Sequence, residues 1–213
     1  MPFARCCCLL ALAALLGACH GHAAPAPASP TPRVHGHNDY LQARPLHDAL
    51  RLGLHSVEAD VFLEGGELRV GHERWQLRAG RTLASMYLAP LAAHAATHGG
   101  AILADGSPFV LLVDIKADAD AVLTALDREL APHHSLLTRF VDDRIEPGAI
   151  TVLLSGDRPR AALERRCERW CALDGRPGDL DRRPPPPIAL VPWIDRKSTR
   201  LNSSHLVISY AVF

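Results

Sequence analysis

The side chains best suited to chemistry fall in four short stretches: His35-Gly36-His37-Asn38-Asp39, Glu58-Ala59-Asp60, Gly71-His72 and Asp114-Ile115-Lys116. Glu58 and Asp60 lie two apart in an apolar, β-rich run, and a strand of period two turns both carboxylates to one side. If that side is an interior, the acids repel unless a cation lies between them, and no Lys or Arg is close in sequence. A hard divalent ion, Mg2+ or Ca2+, takes oxygen ligands and resolves the conflict. The plainer alternative is an exposed Glu58 and an Asp60 that caps a turn. Asp114 and Lys116 share one face at the end of the very apolar run FVLLVDIK, which brings a third carboxylate and one cation, or a surface ion pair at a strand exit.

His72 follows Gly65-Gly66, a hairpin signal between two short strand-like pieces. A strict two-residue turn sets His72 opposite Ala59, on the wrong face. A three-residue loop or one bulge sets it opposite Asp60, so the longer loop or a bulge is expected.

These residues need elements to hold them. Apolar runs at Val34 to His37, Ser56 to Phe62, Phe109 to Ile115, Ala149 to Leu154 and Ile188 to Val191 read as buried strands. Between them, Pro45 to Leu52, Pro90 to His98, Ala119 to Leu130 and Pro159 to Trp170 read as helices; Pro90 suits a first turn and Gly99-Gly100 a stop. Alternating strands and helices mean βαβ units and a parallel sheet, with working residues at the strand C-terminal ends. Five such units in residues 33–195 form either an open sheet or the first five units of an α/β (β/α)8 (TIM) barrel, which takes about 250 residues when complete. The barrel is the expectation.

Both chain ends read differently. Met1 to Arg5 is a short positive start and Cys6 to Leu16 an apolar run too short to span a bilayer, the layout of a secretory signal over 1–18. Leu16-Gly17-Ala18-Cys19 resembles a bacterial lipoprotein box, so Cys19 is expected to be lipidated and the protein to be exported to the cell envelope, with cleavage after Ala23 as the competing reading. Residues 19–32 then form a Pro/Ala tether. Of six cysteines, Cys167 and Cys171 lie outside the leader, and an oxidised pair is expected of them in a periplasmic setting. From Arg196 the composition shifts, and Lys197 to Phe213 resembles a translated sequencing-adapter read-through. A non-native tail over 196–213 and a truncated, inactive fragment are therefore expected.

With 23 basic and 23 acidic side chains and no basic run, there is no electrostatic reason to expect nucleic acid as a partner. The basic residues are 21 Arg and only Lys116 and Lys197, which makes Lys116 conspicuous.

The stretches HGHNDYLQARPLHDALRLGLHSVEADVFLEGGELRVGHE, TLASMYLAPL and LLVDIK resemble, in that order, the phosphatidylinositol-specific phospholipase C and glycerophosphodiester phosphodiesterase superfamily, most closely the branch named for the altered-inheritance-of-mitochondria protein. The resemblance implies a (β/α)8 barrel, a divalent metal and phosphodiester cleavage by two histidines. By motif position it makes His37 and His72 catalytic, and makes Glu58, Asp60, Asp114 and Asn38 metal ligands. Lys116 becomes a phosphate contact. It implies as substrate a glycerol or inositol phosphodiester, such as a phospholipid headgroup; the lipid anchor expected at Cys19 adds the membrane as a partner. Two other classes compete: a zinc amidohydrolase using His35 and His37, which would need further histidines at later strand ends, and a non-catalytic lipid-anchored binding protein.

Overall fold

The computed structural model describes residues 31–194 and 207–208. The expected signal, Cys19, nearly all of the tether and the tail apart from 207–208 lie outside the described residues.

In chain order the elements are β1 (Thr31–Gly36), α1 (His47–Arg51), β2 (Leu54–Glu64), β3 (Glu67–Val70), α2 (Ala89–Thr97), β4 (Phe109–Ile115), α3 (Ala119–Leu130), β5 (Arg139–Val141), β6 (Arg144–Glu146) and β7 (Ile150–Gly156). Then follow α4 (Arg160–Glu164), β8 (Glu168–Arg169), β9 (Ala172–Gly175), α5 (Pro177–Leu180), β10 (Trp193–Ile194) and β11 (Val207–Ile208). β1, β2, β4, β7, β9 and β10 lie side by side in that order, all parallel. β3 pairs antiparallel with β2, and β11 antiparallel with β1. The chain is thus α/β with a mainly parallel sheet. The sheet is open: β10 and β11 stand at its two edges, so the expected barrel closure is not observed among the described residues.

Every residue of β4 is buried, because both faces of the sheet are covered. On one face of the sheet Val57, Ala59, Leu111, Val113, Val152 and Leu154 pack with Leu123, Leu126 and Leu130 of α3 and Leu91 of α2 in the larger core. Val110, Leu112 and Leu153, with Ala172, form a smaller cluster on the other face with Phe140 and Ala189. Register continues that second face upward: Glu58 pairs with Leu112, and one step further Asp60 pairs with Asp114 and Asp114 with Ser155. One sheet face is therefore apolar low down and acidic at the strand C-terminal ends. No helix among the described residues is long and apolar enough to cross a membrane.

Several expectations are corrected. Gly65 and Gly66, at φ 62° and 81°, make a strict two-residue turn, with Glu64 opposite Glu67 and Val61 opposite Val70, so there is no longer loop. β3 ends at Val70, and one further bond, Gly71 N to Asp60 O at 3.0 Å, carries the chain past the ladder. His72 is freed from strand alternation and turns to the carboxylate side anyway. Residues 188–191 form a turn, not a strand: Pro184 to Pro187 lack N–H donors, and the Leu190 and Val191 amides bond back to Pro187 O. The helix expected over 159–170 stops at Glu164, and Glu168 and Arg169 pair with β5 instead. The β5–β6 hairpin and β9 were not expected.

Cys167 and Cys171 are both free thiols, Cys167 exposed and Cys171 buried. Burial pushes the Cys171 thiol up to about 12. The two flank β8 and face different surroundings, so the expected disulfide is absent.

Candidate active site

Glu58 and Asp60 on β2 and Asp114 on β4 are all buried, and they offer ligand oxygens that lie within 4.8 Å of one another. The period-two pattern of β2 and its in-register pairing with β4 produce this convergence. Asp60 is the hub. Its Oδ2 accepts from Tyr40 OH at 2.8 Å, lies 2.7 Å from His72 Nδ1, and is 2.8 Å from Lys116 Nζ. Its Oδ1 is buried with no hydrogen-bond partner. Buried carboxylate oxygens rarely go unpartnered, and a cation is a fitting partner for this atom.

Lys116 Nζ also lies 3.3 Å from Asp114 Oδ1. Burial opposes the lysine's charge, but the two carboxylates more than offset it and hold its pKa above the ordinary lysine value. Three carboxylates and one ammonium leave a formal charge of about −2, which one divalent cation neutralises. The donor set is all oxygen and hard, so Mg2+ or Ca2+ fits it. Among the described residues this is the one cluster of His, Cys, Asp or Glu close enough to share a metal, and it contains no histidine.

The first turn after β1 closes over the acids. Asn38, in the left-handed region at φ 49°, donates its amide to Glu58 Oε2 at 3.2 Å, and its Oδ1 accepts from Tyr40 OH at 3.0 Å. His37 Nε2 lies 3.2 Å from the same Glu58 oxygen. Both histidines are accessible, His37 at 35% and His72 at 51% of side-chain surface, whereas the carboxylates beneath them are buried. All six residues singled out from the sequence, with Lys116, meet in one place. His35 does not join them; its Nδ1 is 2.9 Å from Ser56 Oγ in the sheet interior.

Sequence reasoning missed the framework. Tyr40 is buried, and its hydroxyl reaches back 20 residues to Asp60. That hydroxyl is held strongly protonated by burial and by the bond to Asp60. Asp39, also buried, anchors the turn from the other side by accepting from Leu46 N at 2.6 Å and Tyr87 OH at 3.0 Å. Arg81 donates to Tyr40 O at 2.6 Å. Tyr40 stands in the quoted motif, but nothing local says that its hydroxyl turns inward. Ser155 Oγ, next in the row after Asp114, donates to Asp174 Oδ2 at 3.1 Å. Gly156, at φ 67°, lies against Asp114: a Cβ there would collide with the Asp114 carboxylate and Ile115 O.

Fold and site together define an α/β protein with an acidic, histidine-flanked centre at the C-terminal ends of a parallel sheet. The model of the AIM6-like phosphodiesterase domain matches residues 28–170, and the chain belongs to that family. It is 31% identical over 169 residues to an altered inheritance of mitochondria protein 6 homolog of Arthroderma benhamiae, covering 69% of this chain and 54% of that protein. Shorter matches reach 49% over 61 residues with altered inheritance of mitochondria protein 6 of Eremothecium gossypii, covering 28% of this chain and 16% of that protein. The protein of the same name from Lachancea thermotolerans is 51% identical over 63 residues, covering 28% and 15%. The chain thus spans about half the length of the first of these relatives, or less of the others. No solved structure matches it.

Proposed function

We propose that this domain is a divalent-metal-dependent phosphoric diester hydrolase acting on glycerol- or inositol-type phosphodiesters, lipid or lipid-derived. The observation that carries the reading is the buried Glu58, Asp60 and Asp114 cluster, with an orphaned Asp60 oxygen and an accessible histidine over each of two of its acids. In this reading Glu58, Asp60, Asp114 and Asn38 hold Mg2+ or Ca2+. The bound ion supplies charge neutralisation at the phosphate oxygens.

The chain's own groups supply the rest. Asp60 fixes His72 through Nδ1, which as an N–H donor to an ionised carboxylate leaves Nε2 to take or give a proton. Glu58 holds His37 through Nε2 and leaves its Nδ1 for the other transfer. One histidine deprotonates the attacking hydroxyl and the other protonates the leaving alkoxide. A neighbouring hydroxyl on the substrate would make the first step intramolecular, through a cyclic phosphate. Lys116 contributes a fixed positive charge beside the anionic substrate. The expected lipid anchor at Cys19 would keep the domain at an envelope surface where such substrates occur. The all-oxygen cluster, with His35 occupied by Ser56, favours this reading over a zinc amidohydrolase.

The test is leaving-group dependence, measured on the protein at the full length of its relatives. Replacing either His37 or His72 with Ala should lower hydrolysis of a glycerophosphodiester about a hundredfold or more. A p-nitrophenyl diester needs no proton on its leaving group, so the variant lacking the general acid should lose far less on it, and the variant lacking the base should lose on both. Equal losses on both substrates by both variants would contradict the division of roles. Binding of the diester without turnover by the unaltered protein would instead favour a binding protein.

A further inference from the structure

Outside the carboxylate centre, the buried arginine among the described residues makes no ion pair, although Asp142 and Asp143 lie near enough to favour its charge. Arg169 of β8 is buried at 5% exposure, and its guanidinium donates only to backbone carbonyls: Arg166 O at 2.9 Å, Ala189 O at 3.2 Å, Asp142 O at 3.3 Å and Leu163 O at 3.5 Å. Its Nε is buried with no partner. Carbonyl bonds satisfy the two terminal nitrogens but do not neutralise the charge, and a buried charge is normally paired.

Arg169 lines a cavity of about 590 Å3, with Arg165, Arg166, Arg182, Arg183 and Cys167 around it. The lining segments lead into the N-terminal ends of β6, β9 and β10, and none of them carries a residue of the carboxylate centre. Asp142, Asp143 and Glu164 line the cavity too, so five guanidiniums face three carboxylates. Asp127, outside it, holds Arg166 at 2.7 and 2.9 Å, which leaves an excess of one positive charge. Glu164 reaches Arg182 only at 3.9 Å.

We propose that this cavity is a phosphate-binding site, separate from the catalytic centre, in which Arg169 is the buried base and Arg182 and Arg183 the accessible clamps. The ligand is a phosphate group, free or on a small monoester. Guanidinium forks match phosphate oxygens, and the volume leaves room for a small organic substituent.

Cys167 reports on the site, being exposed at the cavity wall, while buried Cys171 serves as an unreactive reference. Alkylation of the Cys167 peptide by iodoacetamide is measured in the full chain at constant ionic strength, with rising inorganic phosphate or glycerol 3-phosphate. The expected result is saturable protection of about fivefold or more. The double variant Arg182→Ala, Arg183→Ala, which alters exposed side chains, should need about tenfold more phosphate for the same protection. His72→Ala, which alters an exposed side chain of the carboxylate centre, should leave the protection unchanged. Half-protection at a lower concentration of glycerol 3-phosphate would identify a monoester as ligand, and equal concentrations would identify free phosphate. A rate insensitive to both anions, equal protection in the double variant, or protection lost in His72→Ala would overturn the proposal.

Discussion

Asp60 and Asp114 stand in register on neighbouring parallel strands, and a single ammonium, Lys116 Nζ, touches both, at 2.8 and 3.3 Å. In-register acids on one face repel, and Lys116 is the part of the answer that the chain itself contains. Replacing it with Met leaves uncompensated buried carboxylates. Lys116→Met should lose about 3 kcal/mol of stability in chelator, measured by urea unfolding, and recover part of it in excess Mg2+ or Ca2+. No loss in chelator would show that the acids are neutral by protonation.

Gly156 constrains the same carboxylate from β7. Its φ of 67° disfavours a side chain, and a Cβ would meet the Asp114 carboxylate and the Ile115 carbonyl. Gly156→Ala should cost about 3 kcal/mol or more and weaken divalent-ion binding together with stability. A variant as stable as the parent would show that the strand end can move away.

Tyr40 links the turn after β1 to β2 through one hydroxyl shared between Asn38 and Asp60. Tyr40→Phe keeps the ring and takes the hydroxyl from buried Asp60 Oδ2 and half-buried Asn38 Oδ1, so it should cost about 1–2 kcal/mol by urea unfolding. An unchanged unfolding midpoint would contradict the link.

Much of this architecture can be read from local pattern. β4 and α3 match their expected bounds because each is a long run of one period, apolar throughout or apolar on one helical face. Glu58, Asp60 and Asp114 converge as their strand positions imply. The failures have physical sources. His72 reaches Asp60 by leaving the ladder, which a register count along β3 cannot foresee. β8 and β9 are too short to show a period, and their pairing is decided by contacts far away in sequence. The roles of Tyr40 and Asp39 depend on a loop folding back across 20 and 48 residues, to Asp60 and Tyr87.

Glu129 of α3 fixes the hairpin that leads to His72 by accepting from Leu68 N at 3.3 Å. Burial raises its pKa, more than the bond to Leu68 lowers it, and its Oε2 has no partner. A carboxyl raised in the folded state contributes stability below its unfolded value of 4.5, and that contribution is lost as pH rises through the folded value. Gln keeps the uncharged form at every pH. Glu129→Gln should therefore be more stable than the parent at pH ~7, with the gap closing as pH falls below about 4. Urea midpoints across that range check it; a gap that widens on acidification would reverse the sign.

The central claim is that Glu58, Asp60 and Asp114 form a site for one divalent cation. Calorimetric titration of the metal-free chain with Mg2+ and Ca2+ tests it directly. One ion should bind per chain, and Asp60→Asn, which keeps the shape and removes the charge, should weaken binding about tenfold or more. No saturable binding of either ion, or equal binding by Asp60→Asn, would contradict the claim.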